Sequence, residues 1–166
     1  IDDIVALISR LKPAQIYVAG ELSDPHGTHR MCAEAVFEAV RRIRTEQGAR
    51  GKGQGASESG SLLAPRPSPL APWPFDVWLY KGAWEEWEPH EVEMAVPLSP
   101  EVLERKKQAI FRHQSQKDKA MFPGGTDRRE FWQRSEARNI ATAKTYDALG
   151  LPEYYALEAF VKWKDG

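Results

Sequence analysis

The chain has 166 residues, 42% of them hydrophobic and 28% charged, which suits one globular domain with its own core and excludes a disordered chain. A net charge of -1 gives no field that would favour nucleic acid or an anionic membrane as a partner. The single cysteine, Cys32, excludes an internal disulfide and fits a reducing, cytoplasmic setting, and no apolar run approaches the roughly 20 residues that span a bilayer.

The chain begins at Ile1, with no signal-peptide pattern, and IDDIVALISRLKP reads as an interior helix of something longer. Ile4, Val5, Leu7, Ile8 and Leu11 have helical spacing, and Pro13 closes the helix. Gln15 to Ala19 (QIYVA) is a short β-rich run between Pro13 and Gly20, as expected of a buried parallel strand. The next helix carries Met31, Cys32, Ala35, Val36, Ala39, Val40 and Ile43 on one face, so Cys32 is expected to be packed. Thr28 is its candidate N-cap and Gly48 its natural stop.

Composition changes abruptly from Glu46 to Pro74. The glycine- and serine-rich GARGKGQGASESG and the proline-rich LLAPRPSPLAPWP cannot offset their ordering entropy by burial. Residues 46–74 are therefore expected to be a disordered insertion, with 1–45 and 75–166 as two parts of one domain. Phe75 to Tyr80 and Glu91 to Leu98 alternate as strands do, joined by the tryptophan-rich KGAWEEWEPH. Ser99 and Pro100 start a helix reaching about His113, with Val102, Lys106, Ala109, Ile110 and His113 along one side. A last long helix is expected over Asp127 to Leu149, with Asp127 and Glu130 as a capping box. The terminal YYALEAFVKW reads equally as strand or short helix. The alternation predicts an α/β fold: a three-layer, Rossmann-like, mostly parallel sheet with flanking helices, present as a partial domain.

The chemistry-bearing stretch is GELSDPHGTHRMC, with His26 and His29 three residues apart where a helix begins. The turn follows a parallel strand, where open α/β sheets place their ligands, and the helix start favours an anion. Two histidines in a polar turn are nevertheless more often surface groups than ligands, and a catalytic zinc needs about three protein ligands. His90 among Glu85, Glu86, Glu88, Glu91 and Glu93 reads as part of a solvated acidic loop, and His113 as a satisfied core histidine. The tryptophans at 73, 78, 84 and 87 pack under a loop more readily than they stack on a sugar.

Three stretches, QIYVAGELSDPHGTHR, EVEMAVPLSPEVLERKKQAIFRHQSQ and EYYALEAFV, resemble the PIG-L/LmbE family of zinc-dependent N-deacetylases. The wording is closest to the subgroup in which such a domain is fused to glucosamine-6-phosphate deaminase-like proteins. The resemblance implies that His29 is a zinc ligand and that His26 polarises or protonates the reacting amide. Asp24, Thr28, His113 and Gln116 would line the pocket, although Thr28 stands where many relatives have aspartate. The family's first motif, approximately H-P-D-D, is absent from this chain. The expected activity is removal of acetyl from an N-acetyl amino sugar, with Zn2+ in the complete domain. The partners implied are the amino-terminal part of that domain and a deaminase domain in the parent chain. This fragment is expected to be inactive alone. The alternative is a non-catalytic module serving assembly or regulation of a glucosamine-6-phosphate deaminase.

Overall fold

The computed structural model describes residues 1–20, 27–52, 74–83, 85–114 and 129–165. In chain order the elements are α1 (Asp2–Leu11), β1 (Gln15–Ala19), α2 (Thr28–Lys52), β2 (Asp76–Tyr80), β3 (Met94–Leu98), α3 (Pro100–Arg112), α4 (Phe131–Ala148) and β4 (Ala156–Lys162).

Local chemistry sets most of these boundaries. Lys12 ends α1 in the left-handed conformation (φ 47°) with its N–H on the Ile8 carbonyl at 2.9 Å, and Pro13 cannot extend the helix. The Ser99 hydroxyl accepts from the Val102 N–H at 3.3 Å, and Pro100 fills the first helical position, where a missing N–H costs nothing. Helix α4 starts later than the capping box at Asp127 and Glu130 would place it. Glu130 itself is the N-cap, and its backbone N–H donates to Gln133 Oε1 at 2.8 Å. The composition break does not stop α2 at Gly48. Intrahelical hydrogen bonding carries it over Glu46 to Lys52, while 53–73 lies outside the described residues.

The four strands form one sheet in the order β1-β2-β4-β3. β1 and β2 are parallel, with Gln15 opposite Asp76 and Ala19 opposite Tyr80. β4 is antiparallel to both of its neighbours, β2 and β3. The sheet is thus mixed, not mostly parallel as expected. The terminal YYALEAFVKW segment supplies a strand that enters between β2 and β3 in the opposite direction. Alternation of side chains cannot encode direction, so only the pairing partners decide it. Pro97 lies on edge strand β3, where its lack of an N–H breaks no ladder.

Helices cover both faces. On one, Ile8 of α1 and Ala33, Phe37, Val40 and Ile43 of α2 pack on Val18 of β1 and Val77 and Leu79 of β2. The ring of Phe37 stacks on Trp163 at 4.6 Å, which ties the end of β4 to the same helix. Tyr80 pairs with Phe160, so Tyr80, Phe160 and Glu158 share the opposite face, where Glu158 meets side chains of α3 and α4. Cys32 is exposed, contrary to expectation, and Met31 is 68% exposed. The buried stripe runs through Ala33, Phe37 and Val40, and both residues fall to its side near the start of the helix.

Candidate functional site

The carboxyl ends of β1 and β2 set the geometry of the candidate site. Gly20 continues β1 by donating its N–H to the Tyr80 carbonyl at 2.8 Å. A Cβ at Gly20 would lie 2.8 Å from Leu79 Cβ and 3.0 Å from the Trp87 ring, so only glycine fits without displacement. The chain re-enters the described residues at Gly27, whose φ of 68° again suits glycine, and Thr28 and His29 form the first turn of α2. Thr28 is thus the first helical residue rather than the residue before it.

His29 is exposed at this helix start, on the layer formed by α1 and α2. His26 and Asp24 lie outside the described residues, as do Ser115 and Gln116, Trp73 and Trp84. His113 is not a core histidine: it is exposed and caps the C-terminus of α3, on the other side of the sheet. His90 is exposed in the turn before β3, as an acidic loop would place it. Trp78 and Trp87 are both half-buried. Among the described residues no group of three or more His, Cys, Asp or Glu side chains is arranged to hold a metal ion.

The sheet brings together a different cluster. Glu158 sits two residues along β4 from Phe160, the partner of Tyr80, and so projects about 7 Å past the end of β2. Its carboxylate accepts from Lys106 Nζ of α3 at 2.6 Å, from Asn139 Nδ2 of α4 at 3.0 Å, and from the Arg138 guanidinium. Arg138 also donates to Glu86 Oε2 at 2.7 Å, and the Thr142 hydroxyl lies 2.6 Å from the same oxygen. Lys106 donates in addition to Asn139 Oδ1 at 2.7 Å, and Asn139 Nδ2 to the Leu157 carbonyl at 2.7 Å. Two cations and two carboxylates therefore neutralise one another in a largely desolvated space, with Arg138 only 7% exposed.

The electrostatics follow from that enclosure. Burial pushes the Glu158 carboxyl up, but the charges of Arg138 and Lys106 outweigh it and hold the group below the usual carboxylate range. Burial lowers Lys106 below the usual ammonium range, with the Glu158 charge pulling the other way. Burial and the Glu158 charge both raise Tyr80, and burial and Glu86 raise Tyr146.

Of this cluster the helical spacing alone indicates only Lys106, on the inward side of α3. Two signals in the sequence mark Glu158 and one face of α4, and none singles out Glu86 from its acidic neighbours. Glu158 is a lone carboxylate in an apolar strand, and Arg134, Arg138 and Thr142 recur at four-residue spacing in a helix with no clear apolar stripe. In the structure this polar stripe is the buried one: Arg134, Ser135, Arg138, Asn139 and Thr142 are all buried.

No helix among the described residues is long and apolar enough to cross a membrane. No family model matches the chain. Over 159 residues, 95% of its length, the chain is 48% identical to a protein of Bacteroides thetaiotaomicron described as glucosamine-6-phosphate deaminase-like. It spans only a fifth of that curated relative, 20% of its length.

Proposed function

We propose that this chain is part of a larger cytoplasmic protein of amino-sugar metabolism. In that protein a PIG-L/LmbE-type N-deacetylase domain accompanies a glucosamine-6-phosphate deaminase-like region. The observation that carries the metabolic link is the 48% identity, across 95% of this chain, to the deaminase-like protein. The hydrolase reading is supported by the position of His29 in the first turn of α2, just past a parallel strand pair.

At the start of α2 the donor that a zinc ion would find is the imidazole of His29. One ligand is too few for a catalytic centre, so the others would come from the complete domain. When bound, zinc supplies an acidified water and a polarised amide carbonyl. His26 is assigned the role of donor to the reacting amide of an N-acetyl amino sugar, with Asp24, Thr28, His113 and Gln116 as pocket candidates. His113, exposed on the opposite layer, has the weakest structural support of the four. The chain alone is expected to be inactive. In the full-length protein, His29→Ala should remove stoichiometric zinc and abolish release of acetate from an N-acetylated amino sugar; a variant keeping both would overturn the reading.

A second reading is favoured by the charge cluster. Lys106, Glu158, Arg138 and Glu86 pair with one another, as befits a module that serves assembly or regulation rather than chemistry. Elemental analysis of the intact parent separates the two, since a non-catalytic module holds no stoichiometric zinc.

A further inference from the structure

We propose that Glu86 is a positioning residue that couples helix α4 to the end of β1 at Gly20, acting through Trp87. The proposal rests on the preceding reading only in that the chain runs on from Gly20 to His29. Its physical basis is the way one carboxylate grips both layers of the fold.

Glu86 Oε2 accepts from Arg138 Nη1 at 2.7 Å and lies 2.6 Å from the Thr142 hydroxyl, both on α4. Its other oxygen, Oε1, accepts the backbone N–H of Trp87 at 3.0 Å. The two neighbouring side chains then part across the end of the sheet. Glu86 stays with α4, while the Trp87 ring packs against the core of α1 and α2. That ring stands 3.0 and 3.3 Å from the point a Cβ on Gly20 would occupy. Lys81 lies over the ring at 4.5 Å and is itself held by Glu85 at 3.0 Å.

The buried indole N–H of Trp87 has no hydrogen-bond partner among the described residues. Packing and the overlying Lys81 hold the ring, and the bond to Glu86 holds the backbone that carries it. Gly20 in turn extends the ladder between β1 and β2, its N–H donating to the Tyr80 carbonyl at 2.8 Å. Loosening Glu86 lets the Trp87 backbone shift, and a shifted ring weakens the packing against Gly20 on the side where it cannot carry a side chain.

The test is amide hydrogen exchange, followed by NMR on the full chain, for wild type, Glu86→Gln, Gly20→Ala and Ser99→Ala. Glu86→Gln keeps the shape but withdraws the anion, so Gly20 should exchange roughly tenfold faster by local opening. Gly20→Ala should speed the Trp87 amide by a similar factor, because the coupling is reciprocal. Ser99→Ala weakens the α3 cap and reports what a general loss of stability does to both amides. The proposal falls if Gly20 responds to Glu86→Gln no more than to Ser99→Ala. It falls equally if Gly20→Ala leaves Trp87 unchanged, an arm that decides the matter even if Glu86→Gln does not fold. None of these readouts involves zinc or deacetylation. A coupled Gly20 in a parent without zinc keeps this proposal and removes the hydrolase reading, and the converse pattern does the reverse.

Discussion

Lys106 of α3 and Glu158 of β4 meet at 2.6 Å, joining a helix to the strand that lies beside its own leading strand, β3. The pair is one half of a relay completed by Arg138 and Glu86, so each charge in it depends on the others.

Removing Arg138 should be the most damaging single change in this cluster. Arg138→Met keeps much of the volume but leaves the carboxylates of Glu86 and Glu158, 22% and 14% exposed, without the guanidinium between them. A loss of about 3–5 kcal/mol is expected, the scale for breaking a buried ion pair by removing one partner. Urea unfolding of wild type and variant measures it.

The acid limb of the stability curve should trace Glu158. Its folded pKa is lowered, burial opposing and the Arg138 and Lys106 charges prevailing. The unfolded chain therefore binds the proton more readily than the folded one. The stabilisation is complete above the ordinary carboxylate value of about 4.3 and is lost as pH falls through the folded value. Glu158→Gln should be less stable than wild type at neutral pH and show a flatter decline below about pH 4. An equally steep decline in the variant would assign the acid limb to other carboxylates.

Asn139 is fully buried and serves three partners at once: Lys106, Glu158 and the Leu157 carbonyl. Asn139→Leu preserves size yet leaves a buried carbonyl and an ammonium each short of a partner. A cost of roughly 2–4 kcal/mol follows from the desolvation left uncompensated. Thermal unfolding at neutral pH would show it as a clear fall in Tm.

Cys32 should react with a thiol reagent in the folded state. The side chain is exposed, so one equivalent should be labelled without denaturant, at a rate independent of added stabiliser. Labelling that required unfolding would place the thiol back in the core, where the helical pattern had put it.

Much of the fold is written locally and could be read there. Pro13 after α1, the short run from Gln15 to Ala19, and Ser99 with Pro100 each act on their own backbone, so neighbours in sequence suffice to define them. The pattern on α2 failed at Cys32 because apolar spacing identifies a broad face, and only packing against the sheet selects which part of it is buried. The helix start at Thr28 was legible to within one residue, and the structure sets His29 in its first turn, while His26 lies outside the described residues.

The charged cluster was not legible in the same way. Arg138 finds Glu86 across 52 positions and Glu158 across 20, separations that no periodicity encodes. Its residues converge because β4 runs antiparallel between β2 and β3 and so carries Glu158 beneath both α3 and α4. The amino-acid sequence alone determined most of the elements and the boundaries at Pro13 and at Ser99 with Pro100, since these answer to backbone sterics and nearby hydrogen bonds. The tertiary structure decided strand direction and charge partnership, since both depend on which distant surfaces meet when water is excluded.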